Sequence, residues 1–97
     1  MTDRLTDLPK TVTLNFYTDP GHGWLEVEKT LIRALHLQPS TYSYQRDDMA
    51  YLEEDCDAYA FMEAAKAKGI TVSIQSHNEP MRDSFVRSLP RIQGGAV

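Results

Sequence analysis

The sequence is poor in the residues that would fix its chemistry or its surroundings. Its single cysteine, Cys56, excludes a disulfide within the chain and suits a reducing compartment. No apolar run approaches the ~20 residues that a membrane helix needs. Residues 1–7 lack the apolar stretch of a signal peptide. Together these absences predict a soluble, cytoplasmic protein that does not contact a membrane.

Positive charge is also scarce. Ten lysines and arginines stand against fourteen aspartates and glutamates, which gives a net charge of −4, although Arg82, Arg87 and Arg91 gather late in the chain. Binding nucleic acid without sequence preference requires many basic side chains that neutralise phosphates, so we do not expect nucleic acid as a partner. Tyrosines on the predicted strands could stack bases, but the basic-aromatic motif that accompanies such platforms is missing.

The length of 97 residues predicts one domain. Residues 1–10 are polar and are interpreted as a flexible lead-in. Residues 11–92 form the single α+β domain, and residues 93–97 are interpreted as a frayed C-terminus. A chain of this size buries about 65% of its unfolded surface, which is enough for one hydrophobic core.

The spacing of apolar residues predicts the secondary structure. Strict alternation indicates strands, and recurrence every three or four residues indicates helices. The predicted elements are a strand at 11–17, a helix at 27–36, a hairpin at 41–45 and 49–53, a helix at 57–68, a strand at 70–75 and a short helix at 81–89. This order is the ferredoxin-like βαββαβ pattern, in which two helices pack on one face of a four-stranded antiparallel sheet, here followed by a short C-terminal helix.

The predicted strand-to-helix connection at residues 17–24 concentrates functional residue types. Asp19, His22 and the only tryptophan, Trp24, lie there beside a proline and two glycines. One interpretation is a ligand- or partner-binding loop, because such loops often carry function and tryptophan is common at interface hot spots. The other is a plain turn in which Trp24 anchors the core and the glycines leave His22 exposed and mobile. The glycine spacing matches neither a phosphate-binding loop nor a dinucleotide fingerprint.

A run of acidic residues precedes the second predicted helix. Glu53, Glu54 and Asp55 offer carboxylates that could bind a divalent cation or a basic partner. However, the spacing is not that of a calcium-binding EF-hand. Acidic residues are also favoured at a helix N-terminus, where Asp55 or Asp57 could cap. We therefore predict no metal and no cofactor, and we interpret residues 53–55 as surface charge available to a partner.

Cys56 and the histidines do not form a recognisable catalytic set. The acidic neighbours of Cys56 oppose its ionisation, which disfavours a nucleophilic thiolate. His22, His36 and His77 lack the spacing of metal ligands. His22 and His77 follow two different predicted strands, so whether they meet depends on the strand order, which the pattern alone does not give.

Three segments of the chain carry a family resemblance. They are Asp-Pro-Gly-His-Gly-Trp at 19–24, Tyr-Ser-Tyr at 42–44 with Tyr-Leu-Glu-Glu-Asp-Cys-Asp at 51–57, and Arg-Asp-Ser-Phe-Val-Arg at 82–87. With these segments the sequence resembles a set of short proteins of unknown function encoded by tailed phages and plasmids. The resemblance implies no activity. It implies a small mobile-element protein that acts inside a bacterial cell by binding a host or element protein.

The sequence supports three hypotheses of function. The first is a non-enzymatic protein-binding module, whose partner contacts Asp19, His22 and Trp24 and the acidic corner at residues 53–55. The second is a small metal-dependent or hydrolytic enzyme that uses Asp19, His22, His77 and the carboxylates of that corner. The third, a DNA mimic, is weakened by the interspersed lysines and arginines. Both a monomer and a homodimer are compatible with the pattern, because a free sheet edge can pair with a copy of itself.

Overall fold

The computed structural model describes residues 8–93 and residue 97. Most of the predicted lead-in (residues 1–7) and of the predicted frayed C-terminus (residues 94–96) therefore lies outside the described residues. In chain order the elements are β1 (Thr11–Thr18), β2 (Gly23–Glu28), α1 (Lys29–Ala34), β3 (Tyr44–Arg46), β4 (Met49–Glu53), α2 (Asp57–Ala67), β5 (Thr71–Asn78) and the 3-10 helix Phe85–Ser88. No helix in the described part of the chain is long and apolar enough to cross a membrane.

The strands form one mixed sheet in the order β3-β4-β2-β1-β5. β1 and β2 form an antiparallel hairpin, β4 pairs antiparallel with β2 and β3, and β5 lies parallel to β1 over its whole length. The expected α+β class is confirmed. The ferredoxin-like arrangement is not what forms, because the described residues contain a fifth strand and one strand pair is parallel.

The predicted and observed sheets differ first at β2, a strand that the sequence pattern indicated only as a short β-prone stretch. Trp24 pairs with Tyr17 on β1 and with Glu53 on β4, so this strand lies inside the sheet. Val27 is fully buried on the strand, whereas the helical spacing that it shares with Leu31 had placed it on the first helix. Strand and helix patterns overlap at these residues, and α1 is consequently short.

One face of the sheet carries both helices and the aliphatic core. The buried residues of this face are Leu25, Val27, Ile32, Leu35, Ala50, Leu52, Ala58, Phe61, Ala65, Ile70 and Ile92. Val12, Leu14 and Phe16 lie on the same face, as the alternation of β1 predicted, and they are half-buried. Ile74 was also expected inside, but it is 44% exposed because β5 is an edge strand.

α2 has nearly its predicted extent but not its predicted cap. Cys56 occupies the N-cap position, and no side chain caps the helix. The Asp57 carboxylate instead accepts hydrogen bonds from the backbone N–H of Ser40 and from the hydroxyls of Ser40 and Ser43. It therefore ties the loop ahead of β3 to the helix. Gly69 has a φ of 76° directly after the helix, as its predicted position at the helix end requires.

Part of the opposite face, around Trp24, Tyr44 and Tyr51, packs against the chain after β5, which we call the C-terminal segment (residues 84–92) and whose last residue, Ile92, joins the aliphatic core. Within this segment, the short helix predicted at 81–89 is a four-residue 3-10 helix. Val86 is fully buried against Trp24, Tyr44 and Tyr51, which form a second, aromatic cluster. This segment positions the charged groups described below.

The C-terminal segment then runs along β3. The Gln45 N–H donates to the Pro90 carbonyl at 2.8 Å, and the Ile92 N–H donates to the Ser43 carbonyl at 2.9 Å. Tyr44 and Arg91 form an isolated antiparallel bridge between these contacts. The β3 edge of the sheet is therefore covered by the chain itself.

Candidate functional site

The β1–β2 turn is organised by the buried carboxylate of Asp19. Its Oδ1 accepts hydrogen bonds from the N–H groups of Gly21 at 2.9 Å and His22 at 3.0 Å, which closes the turn. Its Oδ2 accepts from the Ser84 N–H at 2.9 Å, and Arg87 donates to both oxygens. Arg87 and the three N–H groups hold the pKa of the Asp19 carboxyl well below its usual range, although burial opposes them. Asp19 thus joins the turn to the C-terminal segment.

The two glycines beside His22 allow other side chains to approach the turn closely. A Cβ on Gly21 would lie 2.7 Å from the Arg87 guanidinium, and one on Gly23 would lie 2.6 Å from the Phe16 ring. Neither glycine has a positive φ. The two glycines therefore allow tight packing around the turn, and the His22 side chain is 49% exposed, as expected.

Trp24 is a core side chain, with only 2% of its surface exposed. The Tyr44 ring meets it edge-on at a centroid separation of 6.1 Å, and the Arg87 guanidinium lies 5.2 Å from its ring centroid. Of the two interpretations of Trp24, the core anchor is therefore the one that the structure supports. Trp24 can shape a neighbouring surface, but it cannot offer a broad contact area to a partner.

A cleft of about 400 Å³, which we call the charged cleft, opens beside this turn. It lies where the β1–β2 turn, the β4–α2 turn, the loop ahead of β3 and the C-terminal segment meet. Its lining residues are His22, Trp24, Tyr42, Tyr44, Glu53, Asp55, Cys56, Arg87 and Arg91. Groups of both charges therefore converge on one cleft from distant parts of the sequence.

The β4–α2 turn contributes the carboxylates of the charged cleft. The Glu53 side chain is 13% exposed, and its Oε2 lies 3.7 Å from Nδ1 of His22. Burial raises the pKa of the Glu53 carboxyl; the hydrogen bond from the Asp55 N–H opposes this rise, and the charge of Asp55 adds to it. Asp55 is exposed, and its N–H donates to Oε1 of Glu53 at 3.1 Å. Glu54 packs beside Gly23, outside the cleft lining.

The C-terminal segment contributes the guanidinium groups. Arg87 is 31% exposed and is paired with the buried Asp19 carboxylate. Arg91 is exposed, lies 5.0 Å from the Tyr44 ring centroid and donates from Nη1 to the Thr41 carbonyl at 3.0 Å. These contacts hold both cations in place. Because the protein's own arginines cover the two buried rings, the cleft is not an aromatic cage for an external cation.

The cleft contains a histidine–carboxylate pair but no activated nucleophile. The Cys56 thiol lines it, yet the adjacent Asp57 carboxylate, assisted by burial, raises the pKa of this thiol. A thiol that stays protonated at neutral pH is a poor nucleophile. Among the residues that the structure describes, no group of three or more histidine, cysteine, aspartate or glutamate side chains is placed to hold a metal ion.

His77 lies outside the charged cleft. Its ring stacks on Tyr17 at a centroid separation of 4.9 Å, and its Nε2 lies 2.9 Å from Oδ1 of Asn15. Asn15 Nδ2 in turn donates to Oε1 of Glu26 at 3.0 Å. These cross-strand contacts hold His77 on the sheet face, so it does not line the cleft that contains His22.

A larger depression of about 530 Å³ lies between the first half of β1 and the end of β2. Its walls mix apolar side chains with polar ones, and the only charged groups among its described lining residues are the carboxylates of Glu26 and Glu28. Glu26 is engaged by the Tyr51 hydroxyl at 2.8 Å and by Asn15. This depression therefore brings together fewer available charged groups than the charged cleft.

The pairing of β2 with β4 brings the predicted site residues together. Trp24 pairs with Glu53 across these strands, so His22, Trp24, Glu53 and Asp55 share one cleft, whereas Asp19 is buried behind it. Five lining residues were not among the predicted site residues, and they are Tyr42, Tyr44, Cys56, Arg87 and Arg91. The only signal for the arginines was their clustering late in the chain, and nothing local placed them against the β1–β2 turn.

The charged cleft offers the carboxylates of Glu53 and Asp55 and two guanidiniums beside two buried rings. Such a site can recognise a segment that carries both charges, and its geometry is set by contacts within the protein. No protein-family model, curated protein or solved structure matches this chain. The residues of the cleft are therefore the basis for assigning a function.

Proposed function

We propose that the protein is a non-enzymatic protein-binding module whose partner docks in the charged cleft. The observation that carries this proposal is the convergence of two carboxylates, Glu53 and Asp55, and two guanidiniums, Arg87 and Arg91, on one cleft. Charges of opposite sign on two sides of one cleft select a partner by electrostatic complementarity and favour one orientation of it. A cleft of this kind suits recognition better than a reaction, because it lacks an activated nucleophile.

The exposed charges of the cleft indicate the chemistry of the partner. Asp55 is exposed, so a lysine or arginine of the partner can replace the water around it. Arg87 is already paired with Asp19, whereas Arg91 gives one of its five N–H donors to the Thr41 carbonyl. An acidic side chain of the partner is therefore expected to bind Arg91.

Tyr42 is the aromatic group that the cleft presents to solvent. It is 64% exposed, whereas the Trp24 and Tyr44 rings in the lining are buried. Tyrosine is enriched at interface hot spots because it buries a large area and also offers a hydroxyl. We expect Tyr42 to pack on the partner between the acidic and basic sides of the cleft.

We further propose that the protein is an accessory protein of a phage or mobile element that works in the bacterial cytoplasm. Its partner would be a host or element protein. The support is the resemblance of segments 19–24 and 51–57 to proteins of such elements. These segments form the β1–β2 turn and the acidic side of the charged cleft.

Affinity capture from a bacterial lysate, quantified by mass spectrometry, tests the proposed function. Asp55→Lys reverses a charge at the rim and is expected to reduce recovery of the partner by about tenfold. Glu63→Lys is the matched control, because Glu63 is also exposed but lies on α2, away from the cleft. A partner recovered equally with both variants would contradict docking in the cleft.

The contact between His22 and Glu53 favours a second candidate, a small hydrolytic enzyme. With Nδ1 of His22 lying 3.7 Å from a carboxylate oxygen, the imidazole could be oriented to activate a water molecule. Turnover of ester and phosphoester substrates that His22→Gln abolishes would establish this candidate. Absence of turnover by the unmodified protein would eliminate it for those substrates.

A further inference from the structure

We propose that β5 is a homodimerisation edge, at which two copies of the chain pair antiparallel about Ile74. β5 is the last strand of the sheet, and no strand within residues 8–93 pairs with its outer side. This proposal goes beyond partner binding at the charged cleft. The cleft is carried by the β3–β4 end of the sheet, so either proposal can fail without the other.

The two edges of the sheet differ in how they are protected. β3 has only three residues, and the C-terminal segment bonds to its backbone through Pro90 and to the preceding Ser43 through Ile92. Proteins commonly cover, shorten or charge an edge strand in this way to prevent pairing between chains. β5 has eight residues and contains no proline, lysine, arginine, aspartate or glutamate. β5 therefore lacks the short length, the charged residues and the proline that usually prevent an edge strand from pairing with another chain.

The hydrogen bonds to β1 show which backbone groups of β5 point outward. The Thr71 N–H donates to the Lys10 carbonyl at 2.9 Å, and the Glu79 N–H donates to the Thr18 carbonyl at 2.8 Å. Alternate residues of a parallel strand bond to the same neighbour. The odd-numbered residues of β5 therefore face β1, and the even-numbered residues direct their N–H and C=O groups away from the sheet.

An antiparallel register centred on Ile74 uses these outward groups. It places Ile74 opposite Ile74 of a second copy, and Val72 opposite Ser76, so that outward-facing residues meet along the strand. Pairs of this type exchange two hydrogen bonds each, which gives about six bonds across the interface. Because Ile74 lies near the middle of β5, this register also gives nearly the longest overlap.

The side chains of β5 favour a second copy as the occupant of this edge. Ile74 is 44% exposed and lies on the helix-bearing face beside the half-buried Val72 and Leu14. In the symmetric register the two Ile74 side chains become neighbours, and the aliphatic core of each copy continues into the other. No like charges of Asp, Glu, Lys or Arg meet, because β5 has none.

Sedimentation velocity between about 5 and 300 µM protein tests the proposal. We expect the unmodified protein to form dimers and Ile74→Lys to raise the dissociation constant about tenfold, since it replaces an apolar pair by two lysines opposite each other. Ser76→Pro should have a similar effect, because it removes an outward N–H that β1 does not use. Met81→Lys is the control: Met81 is 86% exposed outside β5, and its replacement should leave the dimer unchanged.

Hydrogen exchange of the unmodified protein gives a readout that does not depend on any variant folding. The amides of Val72, Ile74 and Ser76 should exchange more slowly as the concentration rises through the same range. A protein that stays monomeric to about 300 µM would overturn the proposal. A dimer that persists in both β5 variants, with no added protection of these amides, would mean that the copies pair elsewhere and would also overturn it.

Discussion

The two faces of the sheet are covered in different ways. One face packs aliphatic side chains against α1 and α2. The other packs aromatic rings against an irregular segment, with Arg87 lying over Trp24 and Arg91 over Tyr44. Aliphatic contacts are non-directional, whereas ion pairs and ring contacts depend on geometry and leave charged groups at the surface. The helix-bearing face therefore buries its aliphatic side chains, whereas the aromatic face also places charged groups around the charged cleft.

Removing one large side chain from each face is expected to have the largest effect. Trp24→Ala should lower the free energy of unfolding by about 4 kcal/mol, as is usual for truncating a buried aromatic residue. Phe61→Ala, at a fully buried position on the helix-bearing face, should cost a similar amount. Urea denaturation measures both values. If Trp24→Ala lowered the free energy of unfolding by less than about 1 kcal/mol, packing on the aromatic face would contribute little to stability.

Breaking the ion pair that fixes the aromatic face should have the next largest effect. Arg87→Gln leaves the Asp19 carboxylate buried without its cation, and the expected cost is about 3 kcal/mol. Arg82→Gln is the matched control, because its contact with Glu79 at 3.5 Å is exposed and should be worth less than about 0.5 kcal/mol. If both variants lowered the free energy of unfolding equally, the buried Asp19–Arg87 pair would stabilise the fold no more than an exposed pair does.

Acid should weaken the aromatic face selectively. Asp19 has a lowered pKa in the folded protein, so the unfolded state binds more protons at low pH. Its stabilising contribution is complete above the unfolded pKa of about 3.9 and is lost as the pH falls further toward the folded value. Urea midpoints measured from pH 7 to about 2 should therefore fall less steeply for Asp19→Asn than for the unmodified protein. If the urea midpoints of the two proteins fell equally with pH, the ionised Asp19 carboxylate would not be a source of stability.

The sequence predicts the helix-bearing face well because its signals are local. The alternation of Val12, Leu14 and Phe16 marks β1. The spacing of Ala58, Phe61, Met62 and Ala65 marks α2, although Met62 is 37% exposed. Each pattern lies within one element, so periodicity alone places these residues on the buried side.

The aromatic face could not be predicted in the same way. Asp19 and Arg87 are 68 residues apart, and no local pattern connects them. β2 was obscured because Val27 fits both a strand and the start of a helix. The position of β5 beside β1 follows from the crossover through α2, and the order of elements did not specify that crossover. The charged cleft depends on these contacts, so the sequence indicated its acidic side and its turn but not its basic side.

Photo-crosslinking at two tyrosine positions tests the role of the charged cleft most directly. Tyr42 at the cleft and Tyr59 on α2 are 64% and 65% exposed, so they differ in location but not in access. Each is replaced in turn by p-benzoylphenylalanine, and the protein is irradiated in bacterial cells. We expect a defined protein adduct at position 42 and none at position 59. An adduct at position 59 alone, or at neither position, would contradict the assignment of the charged cleft as the partner-binding surface.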